Sequence, residues 1–276
     1  MKIIDVQNSR PTQDGAGVNI RRVADFQRLS LDPYLMIDEL KSDNKADYMA
    51  GFPAHPHRGI ETFTYIRKGG FEHRDQMGNK KVIGAGDVQW MSTGFGVVHS
   101  EMPVEGDEGL HGFQIWLNMP AKDKLRPPQY QDSTDSGLPV VSNHSGARLT
   151  ALAGNWALDG QAVSSPLQGL AASGAIADVE LRASGQAQLN LSAWEQALIY
   201  VHSGSLTEAS TCQLLRIQGG AEVTLTASEQ GAGALVLLGH RIGEKIAHMG
   251  PFVMNNEAEL RQAVMDYQAG RMGSIS

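Results

Sequence analysis

The chain has 276 residues, 23 Lys+Arg against 30 Asp+Glu for a net charge of −7, and 41% hydrophobic residues. At roughly 150 residues per domain this is one large or two modest domains, able to bury about three quarters of the unfolded surface. The hydrophobic content excludes a disordered chain, and the acidic balance leaves no basic excess for a nucleic-acid surface.

The single cysteine, Cys212, excludes an intramolecular disulfide and any multi-cysteine zinc site. The first residues, Met1 to Asp5, carry no apolar run, so no signal peptide is expected. The longest apolar stretches, such as ALVLL at 234–238, fall far short of the roughly 20 residues a membrane helix needs. The expected location is the cytoplasm, with no membrane contact.

From residue 60 to 117 the pattern is β. The run TFTYI at 62–66 is β-branched and aromatic. FEHR at 71–74, KVI at 81–83, VQWM at 88–91, 97–101 and 112–117 follow, separated by Gly-rich turns. Short strands at this spacing predict a sandwich or barrel. Residues 125–146, rich in Pro, Ser, Asp and Gln, read as the connection between domains. β pattern resumes over 149–238. A helix is predicted over 257–268, capped by Asn255 or Asn256, with Leu260, Val264 and Tyr267 at helical spacing and Gly270 as its stop.

A weak internal repeat relates ETFTYIRKG at 61–69 to EQALIYVHSG at 195–204, aligning Tyr65 with Tyr200 and Gly69 with Gly204. Gly86 and Gly220 lie at similar distances further on. Two copies of one small barrel explain the length. The expected divisions are 1–140, an N-terminal metal-binding barrel, 141–250, a C-terminal barrel without metal, and 251–276, a tail with the helix.

Chemistry concentrates in His55-x-His57 and His99-x-Glu101. On a strand, residues i and i+2 share a face, so each pair aims two donors one way. If the two segments are neighbours, three imidazoles and one carboxylate converge. That set suits Fe, Mn, Co, Ni, Cu or Zn and leaves positions open, as a catalytic site requires. Exposed His pairs also arise by chance, and it is the second pair that raises the first above that reading. Glu61 reads as a buried hydrogen-bonding group before a fifth ligand, because Gly59 breaks the strand phase. His73 and His111 read as surface or second-layer residues. His144, His202, His240 and His248 are isolated. Trp90 and Met91 read as core. In the repeat alignment, the positions matching the four donors are Asn190, Ser192, Gly233 and Leu235, all poor ligands or none.

HPHRGIETFTY at 55–65 and GDVQWMSTGFGVVHSE at 86–101 closely resemble the signature segments of the pirin family. LDPYLMIDE at 31–39, WLNMPAKDK at 116–124 and GPFVMN at 250–255 do so too. The resemblance is weakest over 155–193, and departs at Ile60, Phe63 and Phe95. It implies an all-β fold of two cupin-type β-barrel domains, a bicupin, with a C-terminal helix and one metal in the N-terminal barrel. It also implies His55, His57, His99 and Glu101 as the metal ligands, most often for Fe(II), and sets Glu61 apart from them. Some bacterial pirins are similar to quercetinases, which open a flavonol heterocycle with O₂ and release carbon monoxide. On that analogy Glu101 is both ligand and catalytic base. The expected partners are a small flavonol-like aromatic substrate and O₂, with the chain a monomer. Slot walls are sought among Phe52, Phe63, Met91, Phe95 and Phe113. The rival reading is a non-enzymatic redox- or metal-sensing regulator that binds a transcription or metabolic protein partner. A different cupin chemistry also remains open.

Overall fold

The structure, a computed structural model, describes residues 1–27, 31–106 and 108–275. The chain forms two compact units that interleave in sequence. One is Pro11–Asp135 with Ile242–Ser276, and the other is Met1–Arg10 with Ser136–Arg241. This grouping differs from divisions at 140 and 250 for a plain reason of pairing. Strand Ile3–Asn8 runs antiparallel to Gln213–Gln218, with Val6 opposite Leu215, and so joins the later unit. The tail joins the earlier one.

In the unit holding residues 11–135, a sheet runs in the order Gln129–Asp132, Val88–Ser92, Ile60–Lys68, Leu110–Asn118, Tyr34–Ser42, Val18–Ala24, Arg10–Asp14. A second sheet runs Phe52–His57, Val97–Pro103, Gly70–Asp75, Lys80–Gly84. Val18, Ile20, Leu40, Ile66, Phe71 and Ile83 pack between them. Ile60–Lys68 is β-branched and aromatic and buried on both faces, as a central barrel strand must be. The Pro- and Ser-rich connection is partly strand. Gln129–Asp132 adds to the edge of the first sheet, with Gln129 opposite Ser92, and Val140–Ser142 pairs with Ala147–Ala153 in the other unit.

The other unit runs Ile3–Asn8, Gln213–Gln218, Gln196–Leu206, Glu222–Leu238, Ala175–Leu181, Ala147–Ala153, Val140–Ser142. Its central order reproduces that of Val88–Ser92, Ile60–Lys68, Leu110–Asn118, Tyr34–Ser42, so Tyr65 and Tyr200 do lie on equivalent strands. The glycine alignment fails. Gly86 precedes strand Val88–Ser92, whereas Gly220 follows the equivalent strand Gln213–Gln218. Gly233 and Leu235 therefore sit on the counterpart of Leu110–Asn118, and Leu235, opposite Tyr200, alternates with the interior residues Ala234 and Val236. The strand pair equivalent to Phe52–His57 and Val97–Pro103 is Gln186–Asn190 with the start of Glu222–Leu238. There Ala187, Leu189, Val223 and Leu225 fill the interior, so the later barrel is apolar where the earlier one carries histidines.

Among the described residues one α-helix occurs, Glu257–Gln268. The Asn256 side chain caps it by accepting from the Glu259 N–H at 3.0 Å, and Gly270 follows at φ +71°. Its buried residues are Leu260, Ala263 and Asp266. Tyr267 is 39% exposed, so the stripe expected from apolar spacing is rotated by a buried carboxylate.

Candidate metal centre

Strand pairing brings the two histidine segments together. His55 lies opposite His99 and His57 opposite Val97, with a bulge before Glu101. On its other side the same strand places Glu101 opposite His73. Ring centroids are 4.3 Å apart for His55 and His99, 4.8 Å for His55 and His57, and 5.0 Å for His57 and His99.

The tautomers follow from the hydrogen bonds. His55 Nδ1 lies 2.8 Å from the Pro53 carbonyl and His57 Nδ1 3.3 Å from the Pro251 carbonyl. A carbonyl only accepts, so each Nδ1 carries a proton, and in the neutral ring each Nε2 is a bare lone pair. These two Nε2 atoms face each other at 3.0 Å. His99 is fully buried and neither ring nitrogen has a partner among the described residues. Burial, and then the neighbouring His55, hold the His57 and His99 imidazoles well below the usual histidine range, so both are neutral. Facing lone pairs and orphaned neutral nitrogens are what a cation satisfies, and the donor set fits a divalent transition metal.

Glu101 lies beside His99. Its Oε1 accepts from Thr64 Oγ1 at 3.0 Å, and its Oε2 lies 3.5 Å from Gln114 Nε2. The ligating atoms of His55, His57 and His99 all lie within 4.8 Å of one another, as do those of His73, His99 and Glu101. His99 is the shared member. His73 is a neighbour that spacing undervalued. It is fully buried, its Nδ1 accepts from Gln89 Nε2 at 3.0 Å, and its Nε2 donates to Asp75 at 3.1 Å. Both nitrogens are engaged, so in this tautomer His73 has no lone pair to give. Burial pushes Asp75 up, and bonds from His73 and Asn79 outweigh it, holding the carboxyl below its ordinary range.

The surrounding buried polar groups are anchors. Glu61 accepts from Trp90 Nε1 at 3.0 Å and Arg126 Nη2 at 3.2 Å, the hydrogen-bonding role its position suggested. Lys124, lowered by burial to about 8, donates to the Gly59 and Val253 carbonyls and to Asn118 Oδ1. Gly59 has to be glycine, because its φ is +79° and a Cβ would lie 2.0 Å from the Val253 oxygen. Arg58 is buried, donates to Asp266 at 2.8 Å and to the Phe95 carbonyl, and lies 4.3 Å above the Phe95 ring. His111 is buried on Glu39 at 2.9 Å and is thus not at the surface. His202 is buried on Asp178, His240 stacks on Trp194, and His144 is exposed.

A cleft of about 670 Å³ ends on His55, His57 and Glu101. Of the expected walls only Phe52 lines it, and Phe113 lines a small adjoining hollow. Phe63 and Met91 are fully buried core, and Phe95 supports Arg58. The main apolar lining is Trp116, edge-on to His57 at 5.0 Å, with Met36, Leu40, Ile20 and Phe26. His248 also lines it, stacked on Phe26 at 4.1 Å. Trp116 and Met36 face each other across adjacent strands, a pairing that no spacing within one segment reveals.

Two β-barrels, one of them with a histidine and carboxylate cluster opening onto a cleft, define the cupin class in its two-barrel form. Residues 17–117 match the family model Pirin, and 176–273 match Pirin C-terminal cupin domain. A Vibrio cholerae protein named "Putative quercetin 2,3-dioxygenase" is 43% identical over 95% of this chain and 94% of its own length. The chain belongs to the pirin family. Its fold superposes on a crystal structure of quercetin 2,3-dioxygenase from Acinetobacter baumannii with a TM-score of 0.88, at 28% identity over 100% of this chain and 99% of that one. The Escherichia coli pirin YhhW, solved in complex with nickel(II), shares the fold at a TM-score of 0.63 and 20% identity, over 86% of this chain and 99% of that one. No helix of the described residues is long and apolar enough to cross a membrane.

Proposed function

We propose that this chain is a metal-dependent dioxygenase that opens the heterocycle of a flavonol such as quercetin, consuming one O₂ and releasing one carbon monoxide. The observation that carries this reading is an apolar cleft ending on two imidazoles whose Nε2 atoms face each other, with buried, unpartnered His99 behind them, and on a carboxylate. The names of the Vibrio and Acinetobacter relatives support it. His55, His57, His99 and Glu101 would hold one divalent metal, with Fe(II) the first choice and Mn, Co, Ni, Cu or Zn open. The bound metal supplies Lewis acidity and redox chemistry toward O₂.

The chain's own residues do the rest. Glu101 accepts the proton of the flavonol 3-hydroxyl, and Thr64 and Gln114 hold its carboxylate for that transfer. With a divalent metal bound, three neutral imidazoles and one carboxylate would carry a net +1, and the transfer moves the negative charge from Glu101 to the flavonol 3-oxygen without changing that total. Trp116, Met36 and Phe26 enclose the planar rings and exclude water.

The test loads metal-free protein with each of the six metals in turn and follows O₂ uptake and carbon monoxide release with quercetin. One carbon monoxide per O₂ is expected with at least one metal, and none with metal-free protein or with metallated Glu101→Gln. A protein that takes up metal tightly yet leaves every flavonol unchanged overturns the enzyme reading and favours a metal-sensing regulator.

A further inference from the structure

The cleft has a second polar end that the proposed chemistry does not use. Across the inner face of the larger sheet of this unit, Arg22 lies opposite Asp38, Asp38 opposite Gln114, and Gln114 opposite Thr64. Directly opposed residues share a face, so these four form one polar row. Thr64 and Gln114, at one end, touch Glu101. Arg22 stands two strands from Gln114, about 10 Å away. That span matches a fused bicyclic ring with its aryl substituent, and the row flanking it, with Met36 opposite Trp116, is apolar.

The far end is built to hydrogen-bond a neutral polar group. Arg22 Nε and Nη2 clamp Asp38 at 2.9 and 2.7 Å, and Nη2 also reaches Asp14 at 2.7 Å. Its Nη1 makes no bond among the described residues, and the Arg22 side chain lines the cleft at 19% exposure. Asp14 lines the same cleft and is 44% exposed. The corner thus offers the two N–H donors of Nη1 beside a carboxylate acceptor. Two carboxylates against one guanidinium leave it net negative, which repels anionic ligands. A phenolic hydroxyl can accept from Nη1 while its neighbour donates to Asp14.

We propose that Arg22, fixed by Asp38, and Asp14 form a subsite that reads phenolic hydroxyls on the ring of the substrate farthest from Glu101. This rests on the flavonol reading above. It makes the chain selective for polyhydroxylated flavonols over the bare 3-hydroxyflavone, which offers the metal end the same group and the far end nothing.

The experiment titrates metal-loaded protein anaerobically with quercetin and with 3-hydroxyflavone, following tryptophan fluorescence, for wild type, Arg22→Lys and Asp14→Asn. One charge-assisted hydrogen bond predicts that wild type binds quercetin at least about tenfold more tightly than 3-hydroxyflavone. In both variants that ratio should fall to about two or less, through weaker quercetin binding. Asp14 is part-exposed, so Asp14→Asn decides alone if Arg22→Lys does not fold. A wild-type ratio near one, a ratio unchanged in the variants, or equal losses for both ligands overturns the subsite while leaving the flavonol reading intact wherever quercetin is still consumed. Failure of wild type to bind either flavonol overturns both.

Discussion

Neither ring nitrogen of His99 finds a partner among the described residues although the side chain is fully buried. An unsatisfied buried polar group costs about 1–3 kcal/mol, which coordination would offset. His99→Leu should therefore drop metal content from near one per chain to a small fraction, while the metal-free variant melts no lower than metal-free wild type. Metal analysis and calorimetry read the two halves, and full occupancy in the variant would remove His99 from the ligands. Glu61 should behave in the opposite way. It holds Trp90 and the Arg126 guanidinium from a fully buried position, so Glu61→Leu should lose about 3 kcal/mol in denaturant unfolding yet keep its metal-to-chain ratio. The four proposed ligands were legible in sequence because the i, i+2 spacing of each pair fixes a shared strand face. His73 was not, because its place beside Glu101 depends on which strand pairs with Val97–Pro103. Trp116 and Phe26 escaped for the same reason: a cleft wall is made by strands remote in sequence, and burial within one segment says nothing about which space it borders.

At the scale of an element, the tail helix shows what local signals carry and what they omit. Its limits, its Asn cap and its terminal glycine are local and were readable. Its buried face was not, because Asp266 is inward-facing only through Arg58, which is 208 residues away. Burial pushes the Asp266 carboxyl up, but Arg58, Gln262 and Arg271 together pull it down to about 2. The folded carboxyl thus binds its proton less readily than the unfolded one. Its stabilising contribution is present in full above about pH 4 and is lost as the pH falls through about 2. Asp266→Asn should lower the urea midpoint at pH 6, and the gap from wild type should narrow steadily between pH 4 and pH 2. A gap that is constant over that range would mean the carboxylate is not held by the three partners. The same helix packs Leu260 and Ala263 on Val98 and Phe252, one residue from His99 in the chain, so its docking also bears on the centre.

At the scale of the molecule, the two-barrel plan was legible from the Tyr and Gly repeat even though part of its alignment was wrong. The interleaving was not legible, because β-pairing of Ile3–Asn8 and docking of the tail leave no mark in composition. The tail is an integral part of the unit that holds the centre. Val253 N–H donates to the Arg58 carbonyl at 3.0 Å, the Pro251 carbonyl fixes the His57 tautomer, and the Val253 carbonyl accepts from Lys124 at 3.0 Å. Both Arg58 and Lys124 are 1% exposed, so removing residues 242–276 would strip partners from two buried cations at once. Leaving a buried charge without its partner costs about 3–5 kcal/mol, and the whole stability of a domain is only about 5–15 kcal/mol. A fragment of residues 1–140, the domain that sequence alone would cut, should therefore show no cooperative unfolding transition and retain no metal. Residues 11–135 joined by a flexible Gly/Ser linker to 242–276 should recover both, because every partner of Arg58, Lys124 and His57 named above is then present. Circular dichroism in urea and metal analysis on the two products decide the matter. A cooperative, metal-binding 1–140 fragment would reduce the tail to a cover, and an unfolded linked product would mean that the Ser136–Arg241 unit is also required.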